Sequence, residues 1–522
     1  MDALTTLDRP CWAVAGPRGP VLTTEPPAAG QRVLAAVGPI REESLGAAAF
    51  RRHHGVRRAV MSGAMAGGIA SAALVAAMAR AGYLGSFGAA GLTAARIEEA
   101  LTELDRVGAP YAVNLIHSPH EPALERMIVD ACLRHGVRTV EASAFLDLTE
   151  EVVRYRATGL RREPDGSVAT DHRVIAKVSR AEVASVFLRP APAPLLQRLV
   201  GRGAITAEQA DLARRVPVAD DLTAEADSGG HTDRRPLPVL LPAMLALAEQ
   251  VARETGTTTA RVGAAGGIGT PMAMAAAFAA GAAYVVTGSV NQSCVEADQC
   301  AATKELLAAA GVADTVMAPS ADMFELGVDV QVLGRGTMFP ARARRLYELY
   351  RSRDSLADLT TAERTELEER ILRRPVVDVW DDTRRFFAER DPSQVSRAEA
   401  DEKRRMALVF RWYLGLSSTW SSRGEPDRVL DYQIWCGPAM GAFNAWVAGT
   451  HLAAPAHRRV ADVTDALLHG AAVEARATAL RLAGLRLPAS ASTYRPSPPT
   501  DDGPGSVAAH ATARALATRE NR

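Results

Sequence analysis

Lysine is almost missing from this chain. Lys177, Lys304 and Lys403 are the only three among 60 basic residues, and those 60 are matched by 60 Asp and Glu. A formal net charge of zero gives no electrostatic footing for a nucleic-acid partner. Cysteine is scarce as well. Its five positions, Cys11, Cys132, Cys294, Cys300 and Cys436, are odd in number and lack zinc-type spacing. They read as reduced thiols of a cytoplasmic protein. No basic stretch leads into an apolar one at the start, so no signal peptide is expected. Apolar runs long enough to span a membrane are lacking too, since glycine breaks the Ala-rich windows at 64–82 and 272–283. There is no Gly-x-Ser-x-Gly elbow and no Gly-x-x-x-x-Gly-Lys phosphate loop, which removes two large enzyme classes. His53 with His54, His117 with His120, and Cys294 with Cys300 make no convincing ligand set, so no metal is expected.

What is present is ample core material. The 522 residues are 48% hydrophobic and 23% charged, which suits a large core and more than one domain. Residues 1–50, rich in Pro, Gly and short apolar runs, form an N-terminal segment of uncertain fold. From Arg58 a rhythm sets in. Short apolar runs at 58–63, 83–88, 111–116, 139–144, 174–179, 222–228, 261–267 and 284–289 end in small or polar residues. Helical stretches at 69–82, 94–107, 121–136, 240–255 and 272–281 lie between them. Alternation of this kind implies parallel strands with right-handed crossovers. Eight units within 51–340 predict a TIM (β/α)8 barrel. A doubly wound sheet is the main rival, but its phosphate-binding glycines would follow the first strand. The stretch 181–220, with Pro190, Pro192 and Pro194, reads as an elaborated crossover. Amphipathic helices at 341–353, 361–373 and 397–414, with most of the tryptophans, predict a helical C-terminal domain over 341–487. The Ser/Pro/Ala/Thr-rich stretch 488–522 predicts a disordered tail.

Barrel sites sit at the carboxyl ends of the strands, so those positions are the candidates. After the first run comes Gly63-Ala-Met-Ala-Gly-Gly68, where Ala64, Met65 and Ala66 would let a flat ring lie against backbone. A tight structural turn explains it equally well. Asn114 ends the third run and could hydrogen-bond a heterocycle edge, or cap the next helix. Lys177 lies inside the fifth run. It reads either as a cation beside an electron-rich ring or as one half of a buried ion pair with Glu141 or Glu225. The richest stretch is Glu225-Ala-Asp-Ser-Gly-Gly-His-Thr-Asp233. Gly229 and Gly230 would let backbone approach a ligand, and His231 could exchange protons near neutrality. Gly266-Gly-Ile-Gly269 and Thr287-Gly-Ser-Val-Asn-Gln292 follow the seventh and eighth runs, where these barrels bind phosphate. Cys294 is read as a small core residue rather than a nucleophile.

These loops resemble the nitronate monooxygenase and enoyl-reductase superfamily of FMN barrels. Val113-Asn-Leu-Ile-His117, Ala176-Lys-Val-Ser-Arg180, Ala321-Asp-Met-Phe-Glu-Leu-Gly327, Arg335-Gly-Thr-Met-Phe-Pro340 and Asp431-Tyr-Gln-Ile-Trp-Cys-Gly-Pro-Ala-Met-Gly441 are similar to its PfaD family. That family comprises the trans-acting enoyl reductases of polyunsaturated-fatty-acid and polyketide synthases. The resemblance runs from about residue 40 to 485. It implies FMN as cofactor, NADPH as reductant, and an enoyl chain held on an acyl carrier protein. A modular synthase and an acyltransferase are the implied partners, with room for an oligomer. It assigns FMN contacts to Ala64, Met65, Ala66, Asn114, Lys177, Gly230, Gly266, Gly267, Gly288 and Ser289. Catalysis falls to His231, Lys177 and Asp227, with Asp227 or Asp233 orienting the imidazole. Arg342, Arg344, Arg345, Arg351 and Arg353 suit an acidic carrier, or simply a solvated helix face. Two alternatives remain: a nitronate-oxidising flavin enzyme, and a non-catalytic structural subunit of a synthase.

Overall fold

The computed structural model describes residues 2–117, 122–488 and 494–497. Eight short strands close into a parallel barrel: Val60–Ser62, Leu84–Phe87, Ala112–Ile116, Thr139–Ser143, Arg173–Val178, Asp221–Glu225, Arg261–Ala265 and Val285–Thr287. The closing pair joins the eighth strand to the first, Val286 opposite Met61. These strands are buried along their whole length, rather than alternating, because both faces of a barrel strand are covered. Four of the loops that lead out of a strand end in a side chain that satisfies a free amide of the next helix. Ser71, Thr93, Thr149 and Thr270 do this, each accepting from the amide three residues on. The expected crossover at 181–220 contains three helices, Ala181–Phe187, Ala193–Gly201 and Ala207–Ala213.

At the amino-terminal end of the barrel lies a buried charge cluster. Asp221 accepts from Arg261 at 2.6 and 2.8 Å, and His54 Nε2 stands 2.8 Å from its Oδ2. Asp220 binds Arg156 through both oxygens. His53, His54 and Asp221 have metal-compatible spacing, although the carboxylate is already committed to Arg261. His120 lies outside the described residues. Burial pushes the His53 pKa down to about 4, and the Asp220 carboxylate only partly opposes this. A depressed histidine pKa gives stability that is complete above the unfolded value of about 6.5 and is lost as pH falls toward the folded one. From pH 7 to pH 4, His53→Gln should therefore gain about 3 kcal/mol relative to the parent, since each tenfold change in proton affinity is worth about 1.4 kcal/mol. Parallel melting curves of the two proteins against pH check this.

Three regions were not foreseen from the sequence. The segment before the barrel is a short helix, Asp2–Thr5, and an antiparallel sheet of Cys11–Gly16, Gly19–Thr23 and Val33–Val37, with the first strand in the middle. A hairpin, Leu160–Arg162 with Val168–Thr170, interrupts the fourth crossover. A second hairpin, Thr315–Pro319 with Asp329–Leu333, lies within the span read as barrel but outside its closed sheet.

The helical half, read as one unit over 341–487, divides between two cores. Phe339–Ser352, Val376–Arg390 and Glu402–Arg423 bury Phe339, Leu346, Phe410 and Tyr413 together with Phe324 and Val332 of the second hairpin. The chain then returns to the barrel. Ala439–Val447 and Val460–Leu482 share the barrel's own core through Met440, Phe443, Leu467 and Leu468. The predicted disordered tail lies mostly outside the described residues. Tyr494 is described, and its carbonyl accepts from Trp446 Nε1 at 2.8 Å.

Candidate active site

The carboxyl end of the barrel gathers the polar residues that the sequence singled out. Lys177 Nζ lies 3.2 Å from Glu225 Oε1, so the ion-pair reading of this lysine holds. Burial opposes its positive charge, but Glu225 and then Glu141 outweigh it, and the pKa is raised. Ser228 Oγ donates to the same Glu225 oxygen at 3.3 Å. Asn114 is buried, and its amide donates to Glu141 O at 3.1 Å and Ser143 Oγ at 2.8 Å. Glu141 itself is fully buried. Its Oε2 accepts from the Ala64 amide at 2.9 Å, while Oε1 has no hydrogen-bond partner. A lone buried carboxylate oxygen is costly, and here it stands at the mouth beside the Gly63–Ala64 turn.

The glycines fall into two groups. A Cβ built at Gly67, Gly230, Gly267 or Gly288 would meet nothing within 4 Å, so these backbones border open space. At Gly267 the φ of +72° also demands glycine. Gly229, Gly266 and Gly269 differ. Their Cβ atoms would fall 2.7 Å from Cys436 N, 2.6 Å from Ala226 C and 2.1 Å from Ala439 O. Gly229, expected to admit a ligand, instead admits the chain at Cys436. Gly266 lacks a side chain so that the sixth and seventh strand ends can pack. Ser289 Oγ accepts from Gly437 N at 3.0 Å, so the returning helical segment touches the loop after the eighth strand. Met65 and Ala66 line the first loop and are half-buried.

His231 is half-buried, with Nε2 3.0 Å from Asp322 Oδ2. Burial lowers its pKa, but the hydrogen bond and charge of Asp322, helped by Glu225 and opposed by Lys177, raise it above the ordinary value. This corrects the expectation that Asp227 or Asp233 orients the ring. Asp227 Oδ1 instead accepts from Gln331 Nε2 at 2.9 Å. Asp233 is held by Arg180 at 2.9 Å through both oxygens and by Ser179 Oγ, and the Arg180 guanidinium holds its pKa down to about 2. Sequence reasoning missed Asp322 and Gln331 as site residues. The stretch Ala321–Gly327 stands out in the sequence only through the family resemblance, since no barrel argument demands it.

Two further expectations change or sharpen. Cys294 is fully buried and burial raises its thiol pKa, which suits a core residue. The arginine patch is largely committed within the chain. Arg342 pairs with Asp431, Arg345 with Glu366, and Arg353 with Glu363, while Arg344 donates to Met317 O. Arg351 stays exposed.

With that geometry in view, the profile of the nitronate monooxygenase family matches residues 52–325. The chain belongs to this family. Residues 353–432 also match the inserted helical domain of [acyl-carrier-protein] S-malonyltransferase. A polyunsaturated fatty acid synthase polypeptide of Thraustochytrium sp. is 48% identical over 92% of the chain, which spans 32% of that protein. Polyketide biosynthesis protein PksE of Bacillus subtilis is 44% identical over 83% of the chain and 57% of its own length. The chain thus spans between about a third and rather more than half of these two curated relatives. Among solved structures, the enoyl reductase domain of MlnA from the macrolactin cluster of Bacillus amyloliquefaciens superposes with a TM-score of 0.80. It is 36% identical, and the match covers 85% of this chain and 100% of that one. These likenesses place the chain in the PfaD-like branch of the family. Among the described residues, no helix is long and apolar enough to cross a membrane.

Proposed function

We propose that the chain is an oxidoreductase that reduces the 2,3 double bond of an enoyl thioester carried on an acyl carrier protein, during polyketide or polyunsaturated-fatty-acid synthesis. The observation that carries this reading is the likeness to the MlnA enoyl reductase domain over that domain's whole length. The helical segment supports a carrier protein as partner, because it resembles a domain of an enzyme that acts on one.

FMN fits the mouth. Open space borders the backbones of Gly267 and Gly288, and the buried Glu141 oxygen lacks a donor. When bound there, FMN supplies the carrier that relays hydride from NADPH to the substrate's β-carbon. Gly266, Gly267, Gly288 and Ser289 would hold its phosphate. Ala64, Met65, Ala66, Asn114 and Gly230 would border the ring, and the Lys177 ammonium would favour negative charge on it.

The chain's own chemistry concerns the proton. As hydride reaches the β-carbon, negative charge develops on the thioester oxygen and α-carbon, and a positioned acid must protonate the α-carbon. His231 is that acid. Its raised pKa keeps it protonated through more of the neutral range.

A second reading, nitronate oxidation with oxygen, is favoured by the family profile alone. Absorbance of the purified protein under anaerobic conditions separates the two. Flavin bands should bleach with NADPH and return with a crotonyl thioester. Return only on adding oxygen, or a colourless protein that cannot be reconstituted with FMN, would overturn the enoyl-reductase reading.

A further inference from the structure

The barrel alone does not complete this site. His231 sits on the loop after the sixth strand, and the carboxylate that meets it comes from a hairpin outside the closed sheet. That hairpin is locked on both sides. Toward the barrel, Gly230 and Gln331 exchange backbone hydrogen bonds at 2.9 and 2.8 Å. Gln331 Nε2 also donates to Asp227 Oδ1 and to Ser228 O, which fixes the loop immediately before the histidine. Toward the helices, Phe324 is fully buried in the second core, two residues beyond Asp322. Ser320 closes the turn, accepting from Met323 N at 3.3 Å and donating its own amide to Val328 O at 2.9 Å. Asp322 is therefore presented on a braced turn rather than a free loop.

We propose that Asp322 is the positioning residue of His231, a role that rests on the proton-donor reading given above. Asp322 accepts Nε2–H, so the proton delivered is the one on Nδ1. The Nδ1–H bond breaks as the C–H bond forms at the substrate α-carbon, and the electron pair of that carbon makes the new bond. The ring is left as the neutral Nε2–H tautomer, which the carboxylate continues to hold, and solvent restores the Nδ1 proton. Asp227, caught by Gln331, acts one step further out by fixing the loop. Among the described residues, the charges that act most on the ring are Asp322 from the hairpin, Glu225 at the end of the sixth strand and Lys177 on the fifth. The two carboxylates favour the imidazolium and the ammonium opposes it.

The test reads the His231 titration directly, by NMR of the purified chain carrying 13C-labelled histidine, with the resonance assigned by its loss in His231→Gln. In the parent it should titrate above about 6.5. In Asp322→Asn the midpoint should fall by about one pH unit or more, and Asp322→Glu should restore most of the difference. The alkaline limb of crotonyl-thioester reduction should move down with it, because the protonated ring is the active form, while bleaching of the flavin by NADPH keeps its rate. A parent titration at or below the ordinary value overturns the proposal without any variant. So does an unchanged titration in Asp322→Asn with an unchanged melting curve. Failure of the proton-donor reading looks different: His231→Gln would then reduce the thioester at the parent rate, whatever the titration shows.

Discussion

His231→Ala is expected to lose enoyl reduction by about a hundredfold to ten-thousandfold, the range that a positioned general acid contributes. Bound flavin and NADPH oxidation by an artificial acceptor should persist. The separation follows from where the residue stands. His231 lies on the loop after the sixth strand, and its ring is engaged by Asp322 rather than by the open backbones of Gly267 and Gly288. On the proposed reading, losing the imidazole removes the proton donor and leaves the backbones of Gly267 and Gly288 untouched. The Lys177–Glu225 pair at 3.2 Å does not depend on a bond to His231, so the Lys177 ammonium also survives. Stopped-flow spectra resolve the two half-reactions: bleaching with NADPH at the parent rate, then slow recovery with the crotonyl thioester. Full recovery at the parent rate would sink the assignment.

The second large effect concerns stability. Arg476 is fully buried on the helix Val460–Leu482, and its guanidinium donates to four backbone carbonyls, Ala3 O, Thr6 O, Leu7 O and Arg9 O, at 2.7 to 3.1 Å. Burial lowers its pKa, so the charge is held against a real desolvation cost. Those carbonyls belong to the N-terminal helix and the turn leading into the first antiparallel strand. Arg476→Met would remove the guanidinium donor from Ala3 O and Arg9 O, at about 1–3 kcal/mol for each group left unpaired, while Leu7 O and Thr6 O keep the amides of Ile40 and Arg9. A loss of about 2 kcal/mol or more is expected, confined at first to the segment before the barrel. Arg476→Lys should recover only part of it, because an ammonium cannot reproduce the planar fork. A lowered melting temperature, with new trypsin cleavage at Arg18 and Arg32, is the expected result. An unchanged melting curve and cleavage pattern would contradict it.

The eight strands were legible because each is a short apolar run with a local boundary. Ser71, Thr93, Thr149 and Thr270 cap the next helix within three residues, so sequence alone carries the signal. The N-terminal sheet was not legible. Val21, Val33 and Leu34 are exposed in it, and exposure removes the alternation that marks a half-buried strand. The glycine clusters marked the mouth of the barrel correctly as a place. They did not distinguish glycines that face open space, such as Gly267, from those that let backbones touch, such as Gly269 against Ala439.

By itself the sequence determined the parallel barrel, its strand ends, and the presence there of Lys177, Asn114 and His231. Those follow from period, burial and turn chemistry, all of which act over a few residues. Only the tertiary structure decided which groups meet. His231 and Asp322 are 91 residues apart, and Arg476 and Ala3 are 473 apart. A carboxylate near an imidazole leaves no periodic trace when chain folding, and not chain order, sets the distance. Asp227 and Asp233 are close in sequence and were the natural choice. Gln331 and Arg180 claim them instead, because a buried or half-buried carboxylate takes the donor that the packing brings to it.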